Sequence, residues 1–148
     1  MPSFTLCRML VALLASVGPL HADLKRALAE TNLEKRSGLA LENAAAAYQA
    51  VRAAYERGDN EQVAAAAAEI EESVNLAHTS LTATGKDPRK SPKWFKRAEI
   101  ETRLLSRKLD SFHDSMAFGD RTLMGNLRTI VQQVHDDVLH QLMQGKKK

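Results

Sequence analysis

The sequence predicts an all-α fold, an antiparallel four-helix bundle built from two long helical hairpins. Three observations predict it. Apolar residues recur at helical spacing through nearly everything after residue 22, no stretch shows sustained strand alternation or β-branched enrichment, and 148 residues include only 7 Gly and 4 Pro. With 44% apolar residues, 26% charged residues and a formal charge of +3, the composition is that of one folded domain with a single core.

Residues 1–22 stand apart from this pattern. One positive charge precedes an unbroken apolar and small-residue run over residues 9–17, Gly18-Pro19 interrupts it, and Leu20-His21-Ala22 puts a small residue at a cleavage position. These features predict a signal peptide over residues 1–22, cleaved after Ala22, and a periplasmic or secreted product. The run is well short of the roughly 20 apolar residues that cross a bilayer, and no transmembrane span is expected in the rest. Cys7, the single cysteine, would leave with the leader. The mature chain is then expected to have no disulfide, thiolate metal site, cysteine nucleophile or covalent c-type haem.

The remaining chain, residues 23–148, reads as a single helical-bundle domain. Its parts are a hairpin at 23–83, a basic proline-containing link at 84–91, a hairpin at 92–144 and a Lys-rich tail at 145–148. Leu24, Leu28 and Leu33 are sparse and precede Ser37-Gly38, so residues 23–36 are either a short separate helix or the start of a longer one. Leu41, Ala44, Tyr48, Val51 and Tyr55 then alternate spacings of three and four and mark one helix face. Gly58-Asp59 ends this helix. Asp59 reads as the N-cap of the next, with Gln62 as its capping-box partner and Val63, Ala67, Ile70, Val74, Ala77 and Leu81 as the inner stripe. Thirteen alanines between Ala40 and Ala68 favour helix and allow two backbones to approach closely.

Gly85 is a helix stop, and Pro88 keeps the following segment from continuing. Ser91 as N-cap with Pro92 in the first turn predicts a restart, and Phe95, Ala98, Thr102, Leu105, Leu109, Phe112 and Met116 share a face. Phe118-Gly119-Asp120 supplies a turn and cap for a last helix carrying Leu123, Leu127, Ile130, Val134, Val138 and Leu142. The tail at 145–148 is expected to fray.

The run Ala53-Ala54-Tyr55-Glu56-Arg57-Gly58-Asp59 is similar to the inter-helix turn of a tetratricopeptide repeat. No second copy occurs, the helices are too long for that repeat's ~34-residue two-helix period and its proline after the second helix is missing, so a generic helical-hairpin turn is expected, with no implied peptide binding.

Charge is distributed unevenly. Residues 23–83 carry six basic and ten acidic side chains, a net of −4, whereas residues 84–148 carry fourteen basic and eight acidic, a net of +6. The excess concentrates in Lys86, Arg89, Lys90, Lys93, Lys96 and Arg97, which face one acid, Asp87, and flank Trp94 and Phe95. Arg103, Arg107 and Lys108 prolong it. Lys86, Arg89, Lys90, Lys93, Trp94, Lys96 and Arg97 are therefore the candidate anion-binding residues, for an anionic lipid, a cell-envelope polymer or an acidic protein. The opposed reading is a solvated segment whose aromatics close the core, with an acidic and a basic hairpin attracting each other. Export, one Trp, two Tyr and four Phe, and no nucleic-acid reading motif disfavour a nucleic-acid partner.

Other chemistries find few residues. His78, His113, His135 and His140 stand at no metal-ligand spacing; His135 and His140 are five apart and diverge by about 140° around a helix. No Glu-x-x-His element for a di-iron site occurs. An exported four-helix bundle of this size resembles the small b-type cytochromes, with His140 near the place of one axial ligand. Ala27-Leu28 stand where the ligand methionine would be, and residues 23–115 hold no methionine, so no cofactor is expected. No Gly-x-Ser-x-Gly, phosphate loop or dinucleotide fingerprint occurs, and Glu71-Glu72, Glu99 with Glu101, and Asp136-Asp137 read as solvated faces. The expectation is a non-enzymatic exported bundle that docks an anionic surface or acidic partner through its basic segment. The alternative is a structural or self-associating homo-oligomer that packs through Ala44–Ala47 and Ala64–Ala68, and a weaker one is a metal- or haem-binding bundle.

Overall fold

A computed structural model of the chain describes residues 24–145. The expected leader at 1–22 and Lys146, Lys147 and Lys148 of the tail lie outside the described residues. The fold is all-α. Six helices pack together: α1 (Lys25–Ala29), α2 (Leu33–Glu56), α3 (Asn60–Ala83), α4 (Lys93–Ser115), a 3-10 helix (Phe118–Met124) and α5 (Leu127–Gln144), with no strand among the described residues.

α1 and α2 are separated earlier than Ser37-Gly38. Asn32 caps α2, its side chain accepting from the Lys35 amide at 2.9 Å, and the helix then runs uninterrupted through Ser37 and Gly38. A mid-helix glycine costs about 1 kcal/mol relative to alanine. Gly38 is nevertheless buried, because an aromatic side chain from α4 lies across it.

α2 pairs with α3 over most of its length, α4 packs on α5, and α3 against α5 and α2 against α4 complete the core. Gly58, at φ +69°, makes the turn between α2 and α3. Asp59 then caps α3 by accepting from the Gln62 amide at 3.1 Å. Leu41, Ala44, Ala47, Tyr48, Val51 and Ala54 of α2 are buried, as are Val63, Ala67, Ile70, Val74, Ala77 and Leu81 of α3. The alanines on both sides shorten the distance at which the backbones pack. One polar tie crosses this interface. Asn43 Nδ2 donates to Glu69 Oε1 at 3.0 Å and to Ser73 Oγ at 2.9 Å, and Ser73 Oγ donates to the Glu69 carbonyl.

Two expected caps are not made. The Ser91 amide and the Lys90 amide both donate to the Asp87 carbonyl, and α4 begins at Lys93, after Pro92, without a side-chain cap. Asp120 caps nothing either. Its Oδ2 accepts from the Tyr55 hydroxyl at 3.0 Å, while that hydroxyl accepts from the Ala117 amide at 3.0 Å, so Tyr55 binds the 3-10 segment to α2. The last α-helix consequently starts at Leu127, and Leu123 belongs to the 3-10 turn.

Phe112 closes this end of the core. Its ring meets Tyr48 edge-on at 6.3 Å and Tyr55 edge-on at 5.5 Å. Leu109 of α4, Met124 and Val131 and Val138 of α5 fill the centre without exposure.

Candidate functional site

The seven candidates fall into three groups. Lys86 and Arg97 are engaged with acids of α2: Lys86 Nζ sits 2.8 Å from Glu34 Oε1, and Arg97 binds Glu42 Oε1 through one terminal nitrogen at 2.9 Å and Glu101 Oε1 through Nε at 2.6 Å. The Glu101 hydrogen bond pushes the Arg97 guanidinium above its ordinary range, with Glu42 reinforcing it and partial burial opposing it. These contacts join the acidic and basic parts of the sequence.

Arg89, Lys90, Lys93 and Lys96 form the second group. All four side chains are exposed and none has an ion pair among the described residues. Asp87, the acid nearest in sequence, accepts from the Arg89 amide through Oδ1. The Arg89 guanidinium lies against Gly145, which is buried beneath it at φ +74°.

Trp94 is the third case. It is half-buried, with its ring over Gly38 and with Lys93 and Arg97 at 5.5 and 5.6 Å from the ring centroid. A Cβ on Gly38 would come within 2.9 Å of the ring and 2.8 Å of the Arg97 guanidinium. Trp94 therefore joins α4 to α2. Gly38→Leu should displace the ring, loosen Arg97 from Glu42 and destabilise the fold by about 1–3 kcal/mol. A red shift of tryptophan emission and a lower urea midpoint are the checks.

A cavity of about 360 Å³ lies behind the link, where the C-terminal ends of α3 and α5 meet the start of α4. Leu81, Pro88 and Phe95 give it an apolar lining, and His78, His140 and Asp137 add polar edges. His78 Nε2 is buried without a hydrogen-bond partner. The other histidines are engaged elsewhere. Arg128 binds Asp110 at 2.7 Å and approaches His113 Nδ1 at 3.2 Å, occupying the space between them with a cation, while His135 is buried near Thr102 Oγ1 at 3.3 Å and Glu99 at 4.0 Å. Among the described residues no three His, Cys, Asp or Glu side chains come together so as to hold a metal ion.

Two apolar residues outside the basic candidate set stand close to it. Ile100 and Leu104 are 44% and 48% exposed on the outward side of α4, amid its cations. Their i,i+4 spacing, off the Phe95-to-Phe112 face, was the available signal.

No protein-family model, curated protein or solved structure matches this chain.

Proposed function

We propose that this protein is an exported, non-catalytic antiparallel four-helix bundle that docks on an anionic surface through Arg89, Lys90, Lys93 and Lys96. The observation that carries this reading is the division of the basic segment. Two of its cations satisfy acids on α2, and the remaining four stay exposed and without ion pairs among the described residues. Unpaired cations on one edge raise the local concentration of anions and add about 1 kcal/mol each near an anionic lipid surface. The apolar run at 9–17 and the small residue at Ala22 support export, and the short turn between α2 and α3 supports the antiparallel hairpin. Among the described residues no helix is long and apolar enough to cross a membrane, so the reading is of attachment to a surface.

The test is sedimentation of the full chain with phosphatidylcholine vesicles, with or without 30% phosphatidylglycerol, at low and physiological salt. The lipid preference should be anionic and should fade with salt, because the Debye length falls to about 8 Å at 0.15 M. Replacing all four residues by glutamine should weaken anionic binding by about a thousandfold at low salt. Equal binding of the variant and the parent would refute the reading. The run at 9–17 is unchanged between them and does not affect the difference.

A second reading is favoured by the exposed alanines. Ala44, Ala47, Ala66 and Ala67 are buried, but Ala45, Ala46, Ala64, Ala65 and Ala68 face outward and offer a small-residue surface to a second copy. Its mark is a salt-insensitive oligomer in sedimentation velocity.

A further inference from the structure

We infer that the outward face of α4 is a bilayer-contact surface, on which Ile100 and Leu104 enter the headgroup region of an anionic membrane while flanking cations hold its phosphates. This rests on the docking reading above and gives that surface a definite partner. At 100° per residue, Lys93, Lys96, Ile100, Arg103, Leu104 and Arg107 fall within an arc of about 100°. All six are exposed. From Lys93 to Arg107 the arc runs about 21 Å along the helix. No acid lies on it before Asp114, near the end of the helix. The remaining acids of α4 lie off the arc: Glu101 holds Arg97, Asp110 holds Arg128, and Glu99 pairs with the arc's own Arg103 at 3.5 Å, which leaves Lys93, Lys96 and Arg107 as its cations without an ion pair among the described residues.

Charge alone would suit any polyanion, but two aliphatic side chains, Ile100 near the middle of the arc and Leu104 at its edge, narrow the choice. A soluble acidic polymer satisfies the cations and leaves Ile100 and Leu104 in water. A bilayer interface presents phosphates and the acyl boundary in one plane, the arrangement that basic amphipathic helices use to lie on membranes. Leu104 also lines a 210 Å³ groove between α2 and α4, whose floor of Leu41, Tyr48 and Leu105 is buried and whose edges carry Glu101 and Lys108. A second copy of the chain fits less well. In a two-fold interface the arc would meet itself, bringing Lys96 and Arg107 against like charges.

The experiment uses the full chain, phosphatidylcholine vesicles with 30% phosphatidylglycerol, and soluble polyglutamate as an anion without an apolar interior. Ile100→Ser with Leu104→Ser should weaken vesicle binding by about tenfold, leaving polyglutamate binding within about twofold and helicity unchanged. In a Trp94→Phe background, Leu104→Trp should bind vesicles more tightly and be quenched by lipid bearing a nitroxide near the headgroup. Vesicle binding unaltered by the serine pair, with no quenching at position 104, overturns the bilayer assignment while the anion-docking reading stands. A chain that binds polyglutamate and ignores vesicles overturns it too, in favour of an acidic polymer or protein. If the four-glutamine variant binds vesicles as the parent does, the docking reading itself fails and takes this inference with it.

Discussion

Replacing Phe112 by alanine should lower the unfolding free energy by about 3–5 kcal/mol. The ring is 8% exposed and stands edge-on between Tyr48 and Tyr55. Truncation removes two aromatic contacts together with the buried area, and it leaves a void at the end of the core where relaxation is restricted. Restriction comes from hydrogen bonding. Tyr48 donates to the Lys108 carbonyl at 3.2 Å, and Tyr55 is tied to Asp120 and Ala117, so neither ring can swing in to fill the space without losing a partner. The melting temperature should fall by about 10–20 °C for a chain of this size, as followed by far-ultraviolet circular dichroism. A fall of less than about 3 °C would mean that Phe112 is not a core anchor.

The second large effect is expected from Asn43→Asp. In the parent, the Asn43 amide donates to the Glu69 carboxylate and to Ser73 in an interface where Asn43 is 8% exposed. The aspartate would bring a second carboxylate to a place that requires a donor. Like charges this close raise the proton affinity of the pair in the folded chain relative to the unfolded one. The sign follows from proton counting. As pH rises, the unfolded chain releases its proton first, so stability relative to the parent is retained below about pH 4, falls as pH climbs through the raised folded value, and levels off above it. A deficit of about 3 kcal/mol at pH 7 is expected from urea unfolding, largely absent at pH 3.5. The same deficit at both pH values would show that packing, not charge, is responsible.

The fold class was legible because burial follows period. Every position of the α3 stripe from Val63 to Leu81 is buried, as is every position of the α4 stripe from Phe95 to Met116. Elements failed to be legible where two residues compete for one role. Asp120 is a good cap by type, yet its carboxylate is held by Tyr55, a residue 65 positions away, and α4 begins after Pro92 without the side-chain cap that Ser91 offers by type. Gly38 looked like a break because its reason for being in a helix lies on α4.

The candidate surface was legible as a cluster of charges and no further. Nothing in the spacing of Lys86 and Arg97 identifies Glu34 and Glu42 as their partners, 52 and 55 positions away. Without those pairings the six cations of the segment look alike. The outward placement of Ile100 and Leu104 becomes clear only once the opposite face of α4 is seen to be full.

The short connection between α2 and α3 bears on how the molecule assembles. Only Arg57, Gly58 and Asp59 separate two helices that pack along most of their length, so closing that pair sacrifices little chain entropy for a large number of contacts. Contacts of such low sequence separation form early and quickly. α4 and α5 then arrive on a surface that already exists, and Lys86 and Arg97 meet Glu34 and Glu42 only at that later stage. Until it is reached, Lys86 lacks Glu34 and Arg97 has only Glu101 of its own helix. A newly made chain would be stickier toward anions than the finished one.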